Sequence, residues 1–252
     1  MKFAKLLAIF SIFVLLTGCG DESASESEAE PIRVGISSVF PPFDFVDEEN
    51  QDYQGFDIDL IRAVGREINR PIQFTSVDFD SIIPMIQSND IDISISAITI
   101  NDERKKSVLF SDPYFETGLQ IVVKDDNTSI NSLADLKNRR VAVYIGTTAD
   151  AKAHQVESAA ITRLNDPAKC YDELEDGNVD AVINDSPYSA YLLAQGQIAN
   201  VKILPELLTY EEYGIAIQKD NVELQKQIND ALKRVHESGE YDQIYSKWFG
   251  EK

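Results

Sequence analysis

Arg104 sits in the run Asp102-Glu103-Arg104-Lys105-Lys106, just after the segment IDISISAI at residues 91–98. That segment alternates apolar and polar residues, which predicts a half-buried strand. Asn101 or Asp102 then offers a helix N-cap, so Arg104 falls in a first helical turn. Such a turn already carries partial positive charge and unpaired N–H groups, which favour an acid and disfavour a guanidinium. Asp102 and Glu103 obey this rule and Arg104 departs from it. A guanidinium so placed can take an external anion as a bidentate partner. A solvated basic face of Arg104, Lys105 and Lys106 accounts for the same residues.

A second charged residue, Asp185 in VINDSP, is equally open: Asp185 or Ser186 ahead of Pro187 suits an N-cap with proline at the first helical position. Other chemistries lack components. His154 and His236 are isolated and no cysteine pair exists, so neither a metal site nor a cysteine–histidine nucleophile is expected. There is no glycine-rich phosphate motif and no GxSxG elbow, and no cofactor is expected.

The first residues, MKFAKLLAIFSIFVLLTGCG, read as a secretory signal peptide over residues 1–18, with Lys2 and Lys5 ahead of an apolar run at residues 6–16. That run is too short to span a bilayer. Leu16-Thr17-Gly18-Cys19 resembles the lipobox of bacterial lipoproteins, which makes Cys19 the expected lipidated N-terminus; an ordinary secretory signal is the alternative. Residues 19–30 then form an acidic, serine-rich spacer expected to be disordered. With Cys19 lipidated, Cys170 has no disulfide partner and reads as a small packed side chain. The chain has 23 basic and 43 acidic residues. Losing Lys2 and Lys5 leaves 21 against 43, a net charge of −22. Nucleic acid is excluded as a partner by repulsion, and direct adsorption on anionic lipid is disfavoured.

From Pro31 onward, strand-like and helix-like segments alternate, as in an α/β protein. One arrangement is written twice. IRVGISSVFPPF (32–43) and RRVAVYIGTTAD (139–150) are apolar strands running into polar turns, and SNDIDISISAIT (88–99) is matched by DGNVDAVINDSP (176–187). Open α/β sheets bind ligands beyond their strands' carboxyl ends, so two facing lobes would put four polar strand ends around one cleft. The helix-like segments at 56–68, with Ile58, Ile61, Val64 and Ile68 on one face, and at 241–249 read as core.

PPFDF (41–45), GFDIDL (55–60), DFDSIIP (78–84), AITINDERKKSVLFSDPY (97–114), VDAVINDSP (179–187), YGIAI (213–217) and GEYDQIYSKWFG (239–250) together carry a family resemblance. The chain resembles the amino-acid-binding extracytoplasmic solute-binding proteins of ABC importers, bacterial solute-binding protein family 3, and within them the glutamine-binding group. The resemblance implies a two-lobe periplasmic-binding-protein-like α/β fold of type II, closing on its ligand by hinge motion. It places one lobe at 31–113 plus 214–252, the other at 119–208, and hinge strands at 114–118 and 209–213. It implies that the chain is a monomer, not an enzyme, that its partners are a free amino acid and an ABC permease with its ATPase, and that it meets the membrane only through its lipid.

By the same resemblance, Arg104 pairs with the ligand's α-carboxylate and Asp185 with its α-ammonium. Thr99 binds the head group, the Ala97 carbonyl accepts from the ammonium, and a Thr148 N–H completes the carboxylate cage. Phe79 and Phe40 sandwich the ligand's stem, with plain core packing as the alternative. Where the glutamine group has an acid, a lysine and a histidine, this chain has Ser37, Tyr144 and Asn184. A hydroxyl, a phenol and an amide suit an uncharged polar side chain, glutamine included. A basic ligand would need an acid from elsewhere. Two further classes compete: an enzyme of this fold, dehydratase-like or lytic toward cell wall, needing an additional acid or base, and a sensor acting through a separate signalling partner. The lipobox yields a direct expectation: Cys19→Ser moves the protein from the membrane to the soluble fraction and leaves ligand affinity unchanged, as fractionation and titration would show.

Overall fold

A computed structural model describes residues 29–47 and 49–251. Cys19, the signal peptide and most of the acidic spacer lie outside the described residues. Two five-stranded sheets dominate, and they share one order. The first runs Ile72–Ser76, Ile32–Ile36, Ile93–Ser94, Ala216–Gln218, Val108–Phe110; the second runs Ala160–Leu164, Arg140–Tyr144, Ala181–Asp185, Leu119–Lys124, Val201–Ile203. In each, three parallel strands are followed by an antiparallel one, to which the last strand is again antiparallel. The repeat seen in the sequence is thus a repeat of lobes. A two-stranded antiparallel ribbon, Phe115–Thr117 with Glu211–Tyr213, carries the chain out of the first lobe and back into it.

The core follows from apolar strands covered by amphipathic helices. Ile32, Val34 and Ile36 are fully buried, as are Val141, Ala142 and Val143 in the second lobe. Helix Val222–Glu237 turns Leu224, Ile228, Ala231, Leu232 and Val235 inward, and Asn221 caps it by accepting from the Leu224 N–H at 3.1 Å. Cys170 is buried and free, and burial pushes its thiol up to about 12. Among the described residues no helix is long and apolar enough to cross a membrane.

The strand expected at residues 91–98 differs from its pattern. Regular pairing covers only Ile93–Ser94, and residues 93–99 are buried throughout rather than alternately. Ile93, Ile95 and Ala97 pack into one core cluster and Ile91 and Ile98 into another, so the segment is covered on both faces. Its serines are internal because each has an acceptor: Ser94 Oγ donates to the Gly35 carbonyl at 2.7 Å and Ser96 Oγ to Asp44 Oδ2 at 2.7 Å.

Helix Phe56–Glu67 starts directly after Gly55, whose φ is +132°. A Cβ there would stand 2.0 Å from the Phe43 carbonyl oxygen. Glycine alone therefore lets this helix begin against the turn of the small antiparallel hairpin in which Phe40 pairs with Asp44. Gly55→Ala should cost roughly 2–4 kcal/mol, combining disfavoured backbone and overlap, with urea denaturation as the measurement. Wild-type stability in that variant would show that the loop yields freely.

Candidate functional site

The carboxyl ends of strands from both sheets meet at one cleft. Its wall is formed by Phe40, Phe79, Ser96, Ala97, Thr99 and Arg104 from the first lobe and by Tyr144, Thr147, Thr148 and Asp185 from the second. The lobes are drawn together over it. Phe40 stacks on Tyr188 at 4.3 Å between ring centroids, Phe79 meets Tyr144 at 5.5 Å, and Arg104 Nη2 donates across the cleft to the Gly146 carbonyl at 3.1 Å. A free volume of about 10 Å³ remains, room for roughly one water. Anything larger than a water enters only when the lobes part.

Arg104 lies in the four-residue helix Asp102–Lys105. Asn101 is the N-cap, accepting from the Arg104 N–H at 2.8 Å. The guanidinium is half-buried and bends back from the helix: Nη1 donates to the Thr99 carbonyl at 2.9 Å, and the group lies over the Phe79 ring at 5.4 Å. Lys105 and Lys106, by contrast, are exposed, so the solvated-face reading holds for them and not for Arg104. Burial lowers the Arg104 pKa, and the carboxylates of Glu211 and Asp185 oppose that shift.

Asp185 occupies the N-cap position of helix Ser186–Ala194 but makes no side-chain cap bond. Its carboxyl faces the cleft instead, where Oδ1 accepts from the Tyr213 hydroxyl at 2.6 Å. Burial, with Glu211 nearby, raises its pKa to about 7. Thr147 caps the neighbouring helix Thr148–Ala153 and holds Thr148 at the cleft. Asp150 supports this turn, accepting from the Gly146 N–H at 3.0 Å while Arg163 pairs with it at 2.7 Å.

Residues 32–251 match the family model for bacterial extracellular solute-binding proteins, family 3. The chain belongs to that family. It is 36% identical over 248 residues to a probable histidine-binding protein of Neisseria gonorrhoeae, covering 94% of this chain and 91% of the relative. It is 30% identical to the ABC transporter glutamine-binding protein GlnH of Bacillus subtilis, covering 100% and 98%. Among solved structures, an ancestral arginine-binding protein bound to arginine is similar at TM-score 0.84 and 44% identity, covering 87% of this chain and 98% of that one.

In this solute-binding protein, eight of the expected residues gather at the cleft: Arg104, Asp185, Thr99, Ala97, Phe79, Phe40, Thr148 and Tyr144. Ser37 and Asn184 stand behind its wall. Ser37 Oγ donates to Asp44 Oδ2 at 3.1 Å, and Asn184 Oδ1 accepts from the Asp185 N–H at 2.9 Å. Ser37 is thereby paired, whereas Asn184 keeps a buried Nδ2 without a hydrogen-bond partner among the described residues, an arrangement that carries a cost.

Residues not expected from the sequence complete the site. Asp57 Oδ2 accepts from the Ala97 N–H at 2.7 Å and from the Tyr114 hydroxyl at 3.0 Å, holding Ala97 at φ +49°, where alanine is disfavoured. Asp44 gathers Ser37, Ser38 and Ser96 on one oxygen. Both carboxyls are fully buried, and each has an oxygen without a hydrogen-bond partner among the described residues. Helical spacing carried a signal for Asp57, which shares a face with Ile61 and Val64; Asp44, between two phenylalanines, carried little.

Burial raises the Asp44 pKa to about 7, and burial together with Asp44 raises that of Asp57. Between the ordinary 3.8 and about 7 the folded state binds a proton that the unfolded chain has released. Stability therefore falls as pH rises through this window, by about 1.4 kcal/mol per pH unit for one fully shifted group. Asp44→Asn should make the decline between pH 5 and 7 shallower in urea denaturation. An unchanged slope would show that Asp44 stays ionised in the fold.

Proposed function

We propose that this chain is a lipid-anchored extracytoplasmic receptor that captures a polar amino acid by lobe closure and delivers it to an ABC permease. One observation carries the reading: a cation, Arg104, and an anion, Asp185, approach one closed cleft from opposite lobes. A free amino acid presents the complementary pair at fixed spacing, so it bridges the lobes only when both engage it, and occupancy favours closure. Arg104 takes the α-carboxylate. Asp185 takes the α-ammonium, with the Ala97 carbonyl and Thr99 beside it, and Phe79 and Phe40 enclose the stem. Lipidation at Cys19 anchors the receptor. The relatives named above are described by what they bind, which supports capture over turnover.

For the ligand's side chain, the cleft offers the Tyr144 hydroxyl and one remaining lone pair of Ser96 Oγ, whose proton goes to Asp44 and which accepts from the Ser37 N–H. These suit an uncharged polar group, glutamine among them. A specific observation favours a basic ligand as second reading: Asp44 lies directly behind Ser96 with one oxygen unpartnered. Calorimetric titration of glutamine, histidine, arginine, lysine and glutamate separates the two. In either case Arg104→Met should abolish binding of every amino acid alike. Affinity retained within about threefold, roughly 0.65 kcal/mol, would remove Arg104 from the carboxylate site.

A further inference from the structure

Glu211 begins the return strand of the ribbon between the lobes, and it is 7% exposed. It does not form the cleft wall, yet its carboxylate touches two residues that do. Oε2 accepts from Thr99 Oγ1 at 2.6 Å and from Thr148 Oγ1 at 2.8 Å, while Oε1 accepts from Thr209 Oγ1 at 2.9 Å. Thr99 belongs to the first lobe and Thr148 to the second. One carboxylate oxygen on the connecting ribbon is therefore bonded to both lobes.

A threonine hydroxyl has one proton and two lone-pair sites, and a carboxylate only accepts. With both protons committed to Glu211, the two oxygens can offer only lone pairs to the cleft. A ligand carboxylate gains nothing from them, whereas an ammonium, which only donates, is received by both. We propose that Glu211 is a positioning residue of the head-group site: by taking the hydroxyl protons of Thr99 and Thr148 it makes both oxygens acceptors for the ligand's α-ammonium. Because the two hydroxyls converge on Glu211 from opposite lobes, this acceptor pair is assembled by closure. The carboxylate also adds a second negative charge near Asp185, whose proton affinity it raises. The proposal rests on the amino-acid reading and extends it to how the ammonium is told from a neutral substituent.

The test compares two probes on the full mature chain: whichever common amino acid binds tightest, and its α-hydroxy acid, which keeps the carboxylate and side chain but replaces the ammonium with a hydroxyl. The readout is the ratio of the two dissociation constants. In Glu211→Gln the amide can turn its NH2 toward the threonines, releasing their protons toward the cleft. The preference for the ammonium should fall about tenfold or more, the scale of a lost hydrogen bond to a charged group. Thr148→Val, which removes one acceptor, should lower the same ratio, and the double variant should fall short of the product of the single effects. If Glu211→Gln does not fold, Glu211→Ala, which removes the acceptor of both hydroxyl protons, takes its place and should lower the same ratio. An equal loss for both probes, or independent effects in the double variant, would reduce Glu211 to a brace of the ribbon and overturn the proposal. Failure of every common amino acid to bind the wild type would overturn the amino-acid reading itself, and this proposal with it.

Discussion

A guanidinium carried into a closing cleft must find compensation there, because a buried charge costs several kcal/mol unless it is paired and hydrogen-bonded. Arg104 meets that condition through carbonyls of both lobes, those of Thr99 and Gly146, and through the field of Asp185 and Glu211. The Gly146 bond exists only when the second lobe is close. Closure and charge compensation are therefore one event, and the geometry of the cleft depends on it. On the proposed reading, a ligand carboxylate between the lobes substitutes a full charge for carbonyl dipoles at the same guanidinium.

Beneath the cleft, the first lobe contains a polar layer where an apolar core would be simpler. Asp44 organises Ser37, Ser38 and Ser96, and Asp57 holds Ala97 and Tyr114. These residues belong to the loop after the first strand, the first turn of a helix, the central strand end and the approach to the ribbon. The layer sets the position of the Ala97 carbonyl and the Ser96 hydroxyl, both at the cleft. It does so at the cost of two buried carboxyls whose proton affinity burial raises, that of Asp57 further through Asp44. The layer is therefore most stable while its raised carboxyls keep their protons, and loses stability as pH rises toward about 7.

The ribbon has more to do than join two bodies. Along Glu211–Tyr213, Glu211 bonds the threonines of both lobes and Tyr213 bonds Asp185 of the second, while Glu212 points away. The period of two in an extended strand puts Glu211 and Tyr213 on the same side, facing the cleft. In the closed arrangement these contacts join the ribbon to both lobes at the cleft.

The sequence by itself determined the α/β class, the two-lobe architecture and the family, because strand hydrophobicity, turn chemistry and a repeated motif order are local properties of the chain. It also singled out Arg104, since a cation in a first helical turn opposes the helix dipole wherever the helix sits. What it left open for Asp185, cap or cleft, only tertiary structure decided: Tyr213, distant in the chain, turns the carboxyl away from the helix N–H groups. Ser37 and Asn184 were placed near the ligand by motif position; in the fold neither forms the cleft wall, and their oxygens meet Asp44 and the Asp185 N–H. Glu211 and Asp44 read as ordinary acids in an acidic chain, and only its apolar helix face set Asp57 apart. Their importance arises from burial and from partners brought together by folding, and neither is a property of a residue and its near neighbours in sequence.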